Sequence, residues 1–209
     1  MQLYYFETPN ARKPCAVARH TGAPVEFVLV DLSKGEHKSP EYLDVNPNGK
    51  IPALRDGDTR IWESCAIMCY LAQKTGSDLW PADPAQQVEV LRWLQWDTAH
   101  FSRHAQTFVF QHLIKPAFGL GDPDAAALEE STGFLQQFAG VLDSHLKGRD
   151  SLVGDGLTIA DFAVASALPH AQDAKMPLDG FKEINRWHDA MMTLPAWRDP
   201  YPERLAQTG

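Results

Sequence analysis

The chain has 209 residues, 44% hydrophobic and 22% charged, an ordinary balance for a domain or two able to bury a core. Six Trp and ten Phe exclude a disordered chain, and 15 Pro with 14 Gly scattered without a period exclude a collagen-like or coiled-coil rod. Nineteen Lys and Arg against 27 Asp and Glu leave a net charge of −8, which repels a phosphate backbone, so nucleic acid is not an expected partner.

Residues 2–6 form a short apolar and aromatic run that reads as a strand. Thr8-Pro9-Asn10 carries turn and helix-start chemistry, and residues 11–21 read as a helix with Pro14 near its first turn and Gly22 as its stop. Residues 25–30, Val-Glu-Phe-Val-Leu-Val, have the nearly continuous apolar character of a buried parallel strand. Strand, helix and strand make a βαβ unit, whose crossover is expected to be right-handed. A polar connection over 33–39 leads into a short helical piece, and Asn46-Pro47-Asn48-Gly49 is a strong turn signal. An extended stretch at 51–54, the turn Asp56-Gly57-Asp58 and a return strand at 59–62 spell a hairpin. A helical period then begins at Glu63 and ends at Gly76.

Residues 79–84 carry two prolines and read as a linker. Beyond them no strand pattern appears. Helices are expected over 88–114, over 124–146, from the capping-box-like Thr158-Ile159-Ala160-Asp161 to Leu168, and over 181–192. The expected fold class is an α/β domain over 1–78, ordered βαβ-ββα, followed after the linker by an all-helical domain over 85–209. No run approaches the roughly 20 apolar residues of a membrane span. The opening residues lack a basic leader segment and a cleavage site, so neither a membrane partner nor a secretory leader is expected. Cys15, Cys65 and Cys69 are odd in number and lack CxxC spacing, which fits core thiols in a reducing cytoplasm.

Two constellations carry chemistry. An X-Pro bond at Ile51-Pro52, between a turn and a short strand, suits a cis linkage that leaves the Ile51 peptide groups outside the ladder, where a peptide ligand can add as a strand. The same dipeptide also suits an edge-strand proline without a ligand. Glu63-Ser64 opens a helix, with Ser64 as its expected N-cap; free N–H groups there suit a carboxylate, and Glu63 suits an ammonium. A plain helix cap is the other reading. His100, His104 and His112 lie along one helix with no carboxylate or Cys to complete a ligand set, so no metal is expected.

Residues 35–64, GEHKSPEYLDVNPNGKIPALRDGDTRIWES, closely resemble the glutathione transferase family, and the later Leu152-Val153-Gly154-Asp155 with Leu157-Thr158-Ile159-Ala160-Asp161 is similar to the family's capping segment. The likeness runs from Leu3 to about Trp197. It implies a thioredoxin-like N-terminal domain, a helical C-terminal domain carrying the cosubstrate side of a cleft, a homodimer, and glutathione as cosubstrate. On that resemblance Ile51 pairs its backbone with the cysteinyl part of glutathione, with Pro52 cis, and Glu63 and Ser64 hold the γ-glutamyl end. His37, Lys38 and Lys50 lie near the glycine carboxylate, unless that loop is simply solvated.

Activating the sulfur requires a lowered pKa. A free thiol near 8.5 is only a few per cent thiolate at pH 7, and lowering it by two units takes about 2.7 kcal/mol of preference for the anion. The segment Glu7-Thr8-Pro9-Asn10-Ala11-Arg12 is similar to that of nu-like bacterial members, which implies Thr8 and Asn10 at the sulfur with Arg12 as electrostatic support. Tyr5 and Cys15 are read as core; a Cys15 that faced the ligand instead would favour mixed-disulfide chemistry. The resemblance implies attack of the thiolate on an apolar electrophile, with Asp97 reaching a partner's glutathione. The aromatic residues of the long helix suit either an apolar cosubstrate pocket, with His104 and Phe108 as its candidates, or plain core packing. The alternatives are a glutathione-dependent disulfide reductase or peroxidase on the same site, and a noncatalytic ligand-binding relative.

Overall fold

The structure, a computed structural model, describes residues 1–202. It has two compact units, one of residues 1–77 with 192–202, the other of residues 78–191.

In the first unit, β1 (Gln2–Tyr5), α1 (Pro9–Thr21), β2 (Glu26–Leu29), α2 (Pro40–Val45), β3 (Ala53–Asp56), β4 (Thr59–Trp62) and α3 (Ser64–Thr75) follow in order. The sheet order is β2-β1-β3-β4, with β1 parallel to β2 and both remaining pairs antiparallel. This is the expected βαβ-ββα arrangement, a thioredoxin-like sheet. Strand alternation puts Leu3 and Tyr5 on one face of β1 and Tyr4 on the other. Leu3, Leu54, Ala11, Val17, Ile67, Met68 and Leu71 are fully buried where α1 and α3 pack together. A second, smaller cluster forms from Val30, Tyr42, Val45 and Ala53, with Tyr4 and Ile51 against it and the Tyr4 and Tyr42 rings edge to face at 5.8 Å.

Helix α1 starts earlier than the sequence reading has it. Thr8 is extended (φ −131°, ψ 154°) and its Oγ1 accepts from the Ala11 amide at 3.3 Å, so Pro9 takes the first helical position. Pro14 therefore sits inside the helix and not in its first turn, while Gly22 closes it as expected at φ 64°.

The second unit holds α4 (Pro84–Trp96), α5 (Ser102–Val109), α6 (Lys115–Ala117), α7 (Ala125–His145), α8 (Ile159–Val164) and α9 (Lys182–Met192). The single helix expected over 88–114 begins earlier, at an Asp83 cap, and is interrupted by two wide π turns at Asp97–Phe101 and Phe110–Ile114. Periodicity does not register one inserted residue per turn, which is why the pattern reads as continuous. Phe101, Leu135, Leu142, Phe162 and Trp187 form its buried interior. The capping box at α8 is present: Asp161 is fully buried, with Oδ1 accepting from the Leu152 amide at 2.9 Å and Oδ2 from the Thr158 amide at 2.8 Å and hydroxyl at 3.2 Å. A last short helix, α10 (Pro195–Arg198), belongs to the first unit. Among the described residues no helix is long and apolar enough to cross a membrane.

Candidate functional site

Three loops meet at one end of the sheet because of its register. Tyr4 pairs with Ala53 across the antiparallel β1–β3 ladder, and Ala53 pairs with Trp62 across β3–β4. The chain leaving β1 toward Thr8, the chain entering β3 through Ile51-Pro52 and the chain leaving β4 through Glu63-Ser64 therefore lie side by side. This is also the carboxyl end of the parallel strands, where open α/β sheets bind ligands.

The middle loop is rigidly held. Gly49 adopts φ 57°, and Asn46, almost fully buried, accepts from the Asn48 amide and side chain, both at 3.0 Å. The Lys50 carbonyl takes two donors, Asn46 Nδ2 at 2.7 Å and the Tyr42 hydroxyl at 2.5 Å. Burial raises the Tyr42 phenol and keeps it a donor. The next linkage, Ile51-Pro52, is cis, and β3 starts only at Ala53, so the Ile51 peptide groups stand outside the ladder as a strand-like acceptor of ligand backbone requires.

His37, Lys38 and Lys50 are brought together around this loop. A Cβ on Gly49 would stand 3.0 Å from Lys38 Nζ and 3.1 Å from the His37 carbonyl oxygen. Burial, then the charges of Lys38 and Lys50, lower the His37 imidazolium pKa and favour the neutral ring. Its Nδ1 is buried without a hydrogen-bond partner. Two ammonium groups beside a neutral imidazole suit a carboxylate.

At the third loop the expected cap is corrected by one residue. Glu63, not Ser64, occupies the N-cap position of α3, and Ser64 is already the first helical residue. Glu63 has φ 69° and ψ 118°, a conformation that L side chains avoid, and its exposed side chain makes no cap hydrogen bond. Ser64 is 9% exposed. Sequence offers no signal for this backbone, because a glutamate in that region is a tertiary compromise. The outcome is a carboxylate beside a helix start whose first turn carries no acidic residue, a pairing suited to the ammonium and carboxylate of one amino-acid head.

Near the sulfur candidates, Thr8 accepts through Oγ1 from Ala11 and thereby keeps its hydroxyl hydrogen for another acceptor. Asn10 lies in the first turn of α1, half-buried. Arg12 also makes contacts that the resemblance does not imply. Its Nη1 donates to the Trp197 carbonyl at 2.5 Å and its guanidinium lies over the Trp197 ring at 5.2 Å, so its charge seats the C-terminal segment. Cys15 is fully buried, and burial raises its thiol well above the ordinary range, which makes it a packed thiol and not a nucleophile.

In the helical unit, Phe108 is core at 4% exposure and the His104 ring stacks on Phe134 at 4.8 Å. Asp97 is fully buried and accepts from the Ser102 hydroxyl at 2.6 Å, so it does not project toward a partner chain as expected. Among the described residues no group of three His, Cys, Asp or Glu is arranged to hold a metal ion.

Known proteins resemble this chain over most of its length. The glutathione S-transferase N-terminal domain profile matches residues 1–73 and the corresponding C-terminal domain profile matches residues 100–195. Glutathione S-transferase 3 of Zea mays is 38% identical over 199 residues, covering 91% of this chain and 88% of the maize protein. Glutathione S-transferase-I bound with lactoylglutathione superposes with a TM-score of 0.85 at 28% identity, covering 95% of this chain and 97% of that one. A glutathione transferase from Pseudomonas putida, with one glutathione disulfide bound per subunit, also has a TM-score of 0.85, at 29% identity over 95% of this chain and 89% of its own.

Proposed function

Because this chain belongs to the glutathione S-transferase family, we propose that its own residues bind glutathione along the sheet end and activate its sulfur from Thr8. The activity is glutathione transfer. The observation that carries the residue assignment is the convergence of the Thr8, Ile51-Pro52 and Glu63-Ser64 loops at one end of one sheet.

In this reading the tripeptide lies extended. Its cysteinyl backbone adds to the free peptide groups of Ile51, its γ-glutamyl carboxylate sits on Ser64 and the start of α3, and its ammonium faces Glu63. Its glycine carboxylate faces Lys38 and Lys50, with His37 as a neutral neighbour. These anchors put the sulfur at the Thr8 loop. A hydroxyl donating to a charged acceptor contributes about 1.5–3 kcal/mol and a helix start about 0.3–1 kcal/mol. Together they cover the roughly 2.7 kcal/mol that a two-unit drop in thiol pKa requires. Neither Arg12, whose guanidinium is engaged elsewhere, nor Cys15 is needed.

The thiol proton passes to solvent, and Thr8 Oγ1–H donates to the resulting thiolate. The sulfur attacks an electrophilic carbon, a C–S bond forms, and the leaving group departs with its bonding pair. The Thr8 and Asn10 donors are those of the nu-like resemblance, carried in a chain whose relatives named above include a maize enzyme. The bound glutathione disulfide of the Pseudomonas relative supports a second reading, reduction of a disulfide on the same site. A homodimer is the proposed assembly, testable by light scattering on the eluted protein.

Turnover of a chloronitrobenzene at saturating glutathione, set against reduction of hydroxyethyl disulfide, separates the two reactions. Conjugation is expected to dominate. Absence of heat on titrating reduced glutathione into the protein refutes the site.

A further inference from the structure

The end of the described chain returns to the start of α1. Arg19 Nε donates to the Pro200 carbonyl at 2.9 Å and its Nη2 to the Tyr201 carbonyl at 2.8 Å. Arg12 bonds the Trp197 carbonyl, and its guanidinium lies 5.9 Å from the centre of the Tyr201 ring. Tyr5 stacks on that ring at 5.8 Å with planes 14° apart. Held on three sides, the Tyr201 hydroxyl donates to the Thr8 carbonyl at 2.9 Å.

That carbonyl already takes the first helical bond, from the Arg12 amide at 2.9 Å, and the Thr8 amide donates to the Phe6 carbonyl at 2.7 Å. The peptide groups on both sides of Thr8 are thus tied, the second of them from a residue 193 positions away. We propose that Tyr201 is a positioning residue for the transfer reaction, its hydroxyl fixing the Thr8 peptide so that the Thr8 hydroxyl is aimed at the glutathione sulfur.

This rests on Thr8 as the thiolate's donor. Burial raises the Tyr201 phenol, with Cys15 and Glu7 pushing the same way and the Arg12 charge opposing, so it remains a donor over the pH range of the enzyme. Tyr201 lies past residue 195, where the match to the family's C-terminal domain profile ends.

Tyr201→Phe keeps the ring and its stack and deletes the hydroxyl. The readouts are the ultraviolet absorbance titration of bound glutathione thiolate and the pH profile of kcat/KM. The thiol pKa is expected to rise by about half a unit in Tyr201→Phe, with about a threefold loss of kcat/KM at pH values below it and an unchanged KM for glutathione. Thr8→Ala is expected to raise the same pKa further, and adding Tyr201→Phe to it should change nothing more. An unshifted thiol in Tyr201→Phe, with Thr8→Ala shifted, overturns the positioning role and leaves the Thr8 assignment standing. A shift that persists undiminished in the Thr8→Ala background also overturns it, since Tyr201 then acts by another route. An unshifted thiol in Thr8→Ala itself removes the Thr8 assignment and this inference with it.

Discussion

Glu63 combines backbone strain with a proposed binding role, so one position tests two quantities that move in opposite directions. At φ 69° and ψ 118° a side chain with a Cβ carries a cost on the order of 1–3 kcal/mol. Its exposed carboxylate makes no cap hydrogen bond, so little else is lost on truncation. Glu63→Gly removes the strain but frees the unfolded chain by roughly 0.4–1 kcal/mol, leaving about 1 kcal/mol of net gain over Glu63→Ala. For a chain of this size that is about 2–4 °C in Tm. Elsewhere in a folded chain the order is reversed, glycine being the less stable of the two. Both variants lose the charge-assisted bond to the glutathione ammonium, worth about 1.5–3 kcal/mol, so affinity should fall about 10- to 100-fold in each. Paired urea melts and calorimetric titrations measure both. A Glu63→Gly protein less stable than Glu63→Ala would falsify the strain argument, and unweakened glutathione binding in either variant would remove Glu63 from the site.

Ser64→Ala should weaken glutathione binding by about 1 kcal/mol while leaving α3 intact, because Ser64 is not the cap; calorimetry and a thermal melt together check this. Cys15→Ala should keep turnover and lose about 1 kcal/mol of stability from a small buried cavity, and abolished turnover in a folded protein would put that thiol back in the chemistry. Asp161→Ala strands the buried amides of Leu152 and Thr158 and should cost about 3–5 kcal/mol in urea unfolding. Burial raises the Asp161 carboxyl from 3.8 to about 6, so the folded state binds its proton more tightly. Its contribution is then complete below about pH 3.8 and is lost as pH rises through about 6, a fall on the order of 3 kcal/mol. Stability of the parent relative to Asp161→Asn should drop across that window, and a flat difference contradicts the assignment.

Much of the fold was legible because its signals are local. The apolar run before Thr8, the turn residues of Asn46–Gly49, the Asp56-Gly57-Asp58 hairpin and the Gly22 and Gly76 stops each act within a few residues, and each appears where the pattern puts it. The Asp161 box is legible for the same reason, since its partners at Thr158 lie within one turn. The two π turns in the α4–α5 stretch leave no mark in the sequence because an inserted residue barely alters an apolar stripe. Asn46 and Tyr42 meeting on the Lys50 carbonyl lay hidden behind a turn signal that says nothing of its hydrogen-bond partners.

Residue order alone determined the element sequence of the first unit and the candidate ligand loops, and it carried the resemblance to the family, since propensity, turn chemistry and motifs are written in neighbouring residues. The tertiary structure alone decided that those loops share one sheet end, that Glu63 takes the cap in a strained backbone, and that Arg12 turns to Trp197, 185 positions away. Such choices minimise the energy of the packed whole, in which a buried carbonyl or cation takes whichever partner folding delivers to it, however distant along the chain.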